Sequence, residues 1–169
     1  MPIIKKILFI ILAVIFITEV NAEEVKKMGT HKDWETYVIK NNNGEKVCFA
    51  QSKPVLQAPK KSKREARLFV TFRPGEKIKD EISITAGYDF NTKNSITATS
   101  GKNKYKFDIA QQGFAWMADI KQEKKMIKTM KKGSRIMITG YNQKGSQTID
   151  HYSLIGFTKA YKATRANCS

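Results

Sequence analysis

Apolar and polar side chains alternate along short stretches of this chain, and turn-forming residues separate the stretches. Tyr105, Phe107 and Ile109 alternate with charged residues, which gives this stretch one apolar face and one polar face. Asn43-Gly44 and the turn residues 142–145 each lie between two such stretches and predict hairpins. The predicted strands are 34–39, 46–52, 66–72, 82–86, 95–99, 105–109, 134–141 and 147–154. Residues 53–65, rich in Lys and Pro, are predicted to form an exposed loop.

One stretch has helical rather than strand periodicity. Asp119 occupies an N-cap position with Gln122 three residues later, and Gly133 follows the last periodic residue. A helix is therefore predicted over 119–132. Its apolar stripe is predicted to contain Ile120, Met126, Ile127 and Met130. With a short final helix near 157–164, the pattern predicts a mainly β fold, either an antiparallel β-sandwich or a closed, barrel-like sandwich.

The N-terminal 22 residues have the pattern of a signal peptide. Lys5 and Lys6 precede an apolar run over 7–18, and small residues end at Ala22. An uncleaved anchor is the alternative, but the apolar run is short for a membrane span and polar sequence follows at once. We therefore expect export, a mature single domain over 23–169, and a location in the periplasm or at the outer membrane.

The chain is strongly basic, with 31 Lys and Arg against 15 Asp and Glu and a net charge of +16. Nucleic acid is not an expected partner, because we expect the protein to be exported and because lysine far outnumbers the arginine that phosphate recognition often favours. The basic face of the predicted helix is a candidate site for anionic lipid or acidic glycan, although lysines also form simple solvated faces. Its residues are Lys121, Lys124, Lys125, Lys128, Lys131 and Lys132.

Asp150, His151 and Ser153 have the residue types of a hydrolase triad. Strand alternation, however, places His151 and Ser153 on one face and Asp150 on the other. A triad needs an acid that orients the imidazole and an imidazole that reaches the hydroxyl. We therefore interpret this segment as a strand end in which Asp150 bonds a turn, while Gly156 permits a bend into the last helix.

Other catalytic patterns are missing from the sequence. His31 and His151 are far apart, the cysteines lack zinc spacing, and no glycine-rich phosphate loop is present. We predict no catalytic residue, no metal ligand and no cofactor. Trp116 precedes the predicted helix and is expected in the core, because such a ring buries a large area; an exposed contact for a sugar or partner is the alternative.

Short motifs are spread over residues 33–161, and the most extensive block runs from 145 to 160. Their positions include Trp34, Gly87, Tyr88, Trp116, Gly133, Asp150, Tyr152, Ser153, Gly156 and Phe157. In their order and spacing, these motifs resemble the invasion-associated locus B family of exported alphaproteobacterial proteins, and the block from 145 to 160 is the best match. The resemblance implies a β-sandwich in the periplasm or at the cell envelope, and the family name adds a link to host-cell invasion. We therefore expect a non-enzymatic binding or structural protein whose partner is an envelope or host protein, an anionic membrane surface or a glycan.

The two cysteines, Cys48 and Cys168, can form a disulfide in an oxidising compartment. The position of Cys168 next to the chain end, where chains are often mobile, leaves this pairing open. The resemblance implies cysteines at the positions of Val38, Ala110 and Phe114 in many relatives. This chain therefore cannot form the disulfides common in the family, and a bridge between Cys48 and Cys168 would be particular to it.

Overall fold

The structure, a computed structural model, describes residues 24–60 and 64–169. The predicted signal peptide, residues 1–22, lies outside these ranges. Within them the chain forms twelve strands, a 3-10 turn at Pro74–Glu76, and the helices α1 (Ile120–Lys132) and α2 (Phe157–Asn167). The strands are β1 Glu24–His31, β2 Trp34–Lys40, β3 Lys46–Ser52, β4 Leu56–Ala58, β5 Ala66–Arg73, β6 Ile78–Ala86, β7 Ile96–Ser100, β8 Asn103–Phe107, β9 Ile109–Gln111, β10 Phe114–Trp116, β11 Arg135–Tyr141 and β12 Gln147–Ser153.

The strands form two antiparallel sheets. The seven-stranded sheet has the order β1-β2-β3-β5-β6-β10-β9, and the five-stranded sheet has the order β4-β12-β11-β7-β8. Alternating residues of both sheets meet in one core, among them Leu68 and Ile84 from the first and Ile136 and Tyr152 from the second. The predicted β-sandwich is confirmed, and the two sheets are not closed into a barrel.

Trp34 lies fully buried where α2 meets the seven-stranded sheet. Its ring centroid is 4.8 Å from that of Phe157, and its Nε1 donates a hydrogen bond of 3.0 Å to the carbonyl oxygen of Ser153. A buried indole needs such an acceptor for its N–H group. This contact fixes the start of α2 against β2, as expected for a core tryptophan.

Helix α1 begins as the sequence predicts, because Asp119 Oδ1 accepts hydrogen bonds from the backbone N–H groups of Lys121 and Gln122. Met126, Ile127 and Met130 are buried, but Ile120 is 65% exposed, so its predicted place in the apolar stripe is wrong. At 100° per residue, Ile120 lies at the edge of the buried face. In the first turn of the helix, Glu123 is the residue that points inward instead.

Gly133 ends α1 with φ −84° and ψ 166°, an extended conformation rather than the left-handed one usual after a helix. A side chain here would come within 3.1 Å of Leu154, so space rather than backbone conformation favours glycine.

The sequence pattern does not predict four short or exposed strands: β1, β4, β9 and β10. Strand β1 is an exposed edge with little alternation, and β4 pairs with β12 inside the stretch that was predicted to be a loop. Ile109 is 48% exposed and belongs to β9 of the other sheet, because the chain leaves the five-stranded sheet after Phe107. Its predicted place beside Tyr105 and Phe107 is therefore wrong.

Candidate functional site

The three residues that resemble a hydrolase triad are held apart. Asp150 is buried and forms a bidentate ion pair with Arg64, with Oδ1 2.6 Å from Nη2 and Oδ2 2.9 Å from Nη1. Gln57 Nε2 donates a further hydrogen bond of 3.1 Å to Oδ1. The prediction that Asp150 bonds a turn is therefore wrong, because its carboxylate instead joins β12 to the segment before β5.

His151 and Ser153 lie on the other face of β12, as strand alternation predicts. Ser153 Oγ accepts a hydrogen bond of 3.2 Å from the backbone N–H of Ile155. No hydrogen bond joins His151 to Asp150 or Ser153 in the part of the chain that the structure describes. The geometry of an acid–imidazole–hydroxyl relay is not present there.

Metal ligation finds no support in residues 24–60 and 64–169, where no three side chains of His, Cys, Asp or Glu come together as a metal site requires. Neither helix in these ranges has the length and hydrophobicity of a membrane span.

The lysine face, defined as the six lysines of α1, is exposed along the whole helix. Lys131 differs from the others, because its Nζ lies 3.6 Å above the ring of Tyr161, and burial there lowers the pKa of Lys131. The remaining members point into solvent: Lys121, Lys124, Lys125, Lys128 and Lys132.

Glu123 is the acidic residue of α1, and it points inward rather than among the lysines. Its Oε1 accepts a hydrogen bond of 2.6 Å from the backbone N–H of Ile82 in β6. Burial raises the pKa of Glu123 to about 7, although the hydrogen bond from Ile82 acts in the opposite direction; nearby Glu81 and Asp80 raise it further. The carboxyl therefore ties α1 to the sheet and offsets little of the lysine charge.

This raised pKa predicts a pH-dependent stability. The folded state holds the Glu123 proton up to about pH 7, whereas the unfolded chain releases it near the ordinary value of 4.5. This contribution is complete below pH 4.5 and is lost as pH rises through 7. Between pH 5 and pH 8, we expect the free energy of unfolding of wild type to fall by roughly 1–2 kcal/mol relative to that of Glu123→Gln, after allowance for partial solvent screening. Urea unfolding of both proteins at the two pH values measures this, and parallel pH profiles would contradict it.

A row of five aromatic side chains crosses the outer face of the seven-stranded sheet. We call it the aromatic row: Tyr37, Phe49, Phe69, Phe114 and Trp116. Successive ring centroids are 5.1, 6.1, 6.1 and 5.6 Å apart. The row runs from β2 to β10 across four strand spacings, about 19 Å. Neither described helix covers it, and Phe114 is 37% exposed.

Trp116 therefore does not lie in the core, and the sequence-based prediction for it is wrong. It belongs to β10, where alternation directs Ala115 inward and both Phe114 and Trp116 outward. For the rest of the row, alternation along the predicted strands already indicated outward-facing rings. Phe69, for example, lies between the inward-facing Leu68 and Val70. Only the strand order shows that these outward rings are neighbours.

The charged side chains around the aromatic row are paired with one another. Lys27 binds Glu35, and this hydrogen bond, with one from Tyr37, lowers the pKa of Glu35 to about 2. Farther along the sheet, Arg73 Nη2 lies 2.9 Å from a carboxylate oxygen of Glu81. The border of the row is thus nearly neutral in a protein whose net charge is +16.

Cys48 and Cys168 are joined by a disulfide, with their Cα atoms 5.8 Å apart. The bond ties the end of α2 to β3, and a crosslink over so long a loop typically contributes about 2–4 kcal/mol. Val38 lies directly opposite Cys48 in the β2–β3 ladder. The position at which relatives are expected to carry a cysteine is therefore adjacent to Cys48.

The positions that match the family motifs lie mostly in the framework of the fold. Tyr152 and Phe157 are buried, and the Tyr88 hydroxyl hydrogen-bonds Thr148. Gly87 and Gly156 both have positive φ, which glycine adopts without strain. Except for Trp116, these residues shape the sandwich and do not form one exposed site.

The fold and its surfaces define a disulfide-linked β-sandwich with an aromatic face that neither described helix covers. A sequence model of the invasion-associated locus B (IalB) protein family matches residues 34–165, so this chain belongs to that family. The crystal structure of invasion associated protein b from Bartonella henselae shares the fold, with a TM-score of 0.58 and 12% identity; the match covers 84% of this chain and 97% of that one. No curated protein sequence matches the chain.

Proposed function

We propose that the protein is an exported, non-enzymatic binding protein of the cell envelope, and that the aromatic row is its contact surface for a protein partner. The N-terminal sequence pattern supports export. A disulfide between Cys48 and Cys168 suits an oxidising compartment. The observation that carries the binding role is the aromatic row itself, which neither described helix covers and which lies on a sheet whose other face is the core.

Ring orientation favours a protein over a sugar as the partner. The rings of Tyr37 and Phe49 are stacked with an angle of 12° between their planes, and those of Phe114 and Trp116 with an angle of 20°. In each pair, one face of each ring is thus covered by the other ring. A sugar that stacks on aromatic rings needs exposed faces, whereas a packed protein surface also accepts ring edges.

The charges around the row favour the same kind of partner. An apolar, aromatic centre with a polar border is the usual arrangement of a protein–protein interface. Because Glu35 and Glu81 already neutralise the bordering cations, the row attracts a largely uncharged surface rather than a polyanion. The expected partner is an envelope or host protein with an apolar patch.

Photo-crosslinking in the native bacterium tests this proposal. A photoreactive phenylalanine at position 114 is expected to give one adduct of defined mass in the envelope fraction. The same residue at Tyr141, on the outer face of the five-stranded sheet, is the matched control and should give none. Trp116→Ala should abolish the adduct at 114. Equal adducts at both positions, or none at 114, would overturn the assignment of the row.

The lysine face supports a second function, attachment to an anionic lipid surface. Its specific support is that the acid of α1 points inward, so that the exposed cations are not neutralised from within the helix. The triple variant Lys121→Glu/Lys124→Glu/Lys128→Glu should abolish salt-sensitive retention on vesicles that contain phosphatidylglycerol. Lys93→Glu/Lys102→Glu/Lys144→Glu, in exposed loops, makes the same charge change and should retain binding. Equal retention of the two variants would exclude this function.

A further inference from the structure

A cleft of about 480 Å³ lies on the inner face of the seven-stranded sheet, at the edge formed by β1 and beyond the end of α2. We call it the cationic cleft; Lys26, Lys40 and Lys46 line it together with Met28, Val38 and Ala166. It is separate from the aromatic row, which lies on the outer face of the same sheet. Its volume falls within the roughly 300–1,000 Å³ of small-molecule sites.

The strand register brings the three lysines together. Lys40 lies directly opposite Lys46 in the β2–β3 ladder, and Lys26 of β1 lies opposite Val38, two residues before Lys40. Like charges that are directly opposite destabilise a sheet. This arrangement costs folding free energy unless a bound anion offsets the repulsion.

The described residues provide little compensating charge. Glu24 also lines the cleft, and it faces Lys40 in the register. Among the described residues, however, none of the three lysines forms an ion pair with a carboxylate. Lys46 Nζ makes one long hydrogen bond, 3.5 Å, to the carbonyl oxygen of Asn167. The cleft therefore keeps a net positive charge.

An apolar surface adjoins these cations. Met28 is 44% exposed although it lies beside a concave surface, and Val38 continues the apolar floor toward the core. An inorganic anion alone would leave that apolar surface exposed to water. A ligand that fits both features has one anionic group and one apolar chain, because burial of methylene groups against an apolar surface is favourable.

We propose that the cationic cleft binds a single-chain anionic amphiphile, such as a long-chain carboxylate. The carboxylate lies between Lys40 and Lys46, and the chain lies along Met28 and Val38. This goes beyond the proposed function, because the cleft and the aromatic row share no residue and can be tested separately.

Calorimetry with dodecanoate below its critical micelle concentration tests the cleft on the purified protein. We expect saturable binding with one ligand per chain, no binding of acetate, which lacks the chain, and none of dodecyl maltoside, which lacks the charge. Lys40→Gln/Lys46→Gln should weaken dodecanoate binding at least tenfold. Because this variant removes a like-charge contact, it should unfold at a urea concentration no lower than wild type, so that misfolding does not explain the loss.

Lys102→Gln/Lys144→Gln, in exposed turns outside both candidate sites, removes the same charge elsewhere and should leave dodecanoate binding unchanged. Met28→Ser should weaken dodecanoate binding without creating acetate binding. The proposal is overturned if the two double variants bind alike, if dodecyl maltoside binds as tightly as dodecanoate, or if dodecanoate does not bind. None of these results bears on the crosslink at position 114.

Discussion

Replacing Asp150 by Asn should lower the free energy of unfolding by about 3–5 kcal/mol, the usual effect of removing one partner of a buried ion pair. The side chains of Asp150 and Arg64 are only 3% and 7% exposed, and both terminal guanidinium nitrogens bind the carboxylate. The neutral amide keeps the shape of the side chain but leaves the arginine charge without a counterion. Urea unfolding followed by circular dichroism measures the change.

The double variant Arg64→Met/Asp150→Leu provides the decisive comparison. It removes both charges, so it should be more stable than Asp150→Asn and closer to wild type. The difference between single and double variants isolates the cost of an unpaired buried charge from that of lost packing. If the double variant is as unstable as the sum of its two single replacements, the pair acts through local packing and not as an ion pair.

This ion pair also shows where reasoning from the sequence reaches its limit. The alternation along β12 correctly places Asp150 on the face opposite His151, but it does not show what that face meets. Arg64 lies 86 positions earlier, within residues 53–65, which the sequence predicts to be an exposed loop. Only the pairing of β4 with β12 brings the two residues together.

Local patterns predict local elements well in this chain. The cap at Asp119, the two hairpins and the final helix were all visible, because each depends on neighbours a few residues away. Strand β10 was missed because it is only three residues long, and Trp116 was misplaced with it. Local patterns cannot predict candidate sites that depend on strand order, such as the aromatic row and the cationic cleft.

The two candidate surfaces illustrate the same principle on opposite faces of one sheet. Tyr37 and Val38 are adjacent in sequence, yet one belongs to the aromatic row and the other to the floor of the cationic cleft. A shift of one residue in the register of β2 would exchange them. The register of β2 therefore determines both surfaces, and residues that fix the end of this strand matter for both.

Gly156 is such a residue, and Gly156→Ala should cost about 4 kcal/mol or more, or prevent folding. Its φ of +93° already disfavours a side chain, and a Cβ would lie 1.9 Å from the carbonyl oxygen of His31, at the β1–β2 turn. Backbone atoms cannot rotate away, so the turn and the start of α2 must separate, and Trp34 then loses its contact with Phe157.

Gly145→Ala is the matched control: its φ is +79°, but no atom lies within 4 Å of the added Cβ, so it should cost only about 1–2 kcal/mol of backbone strain. Urea unfolding, with near-ultraviolet circular dichroism for a variant that folds poorly, compares the two, and equal losses would show that the contact with His31 is unimportant.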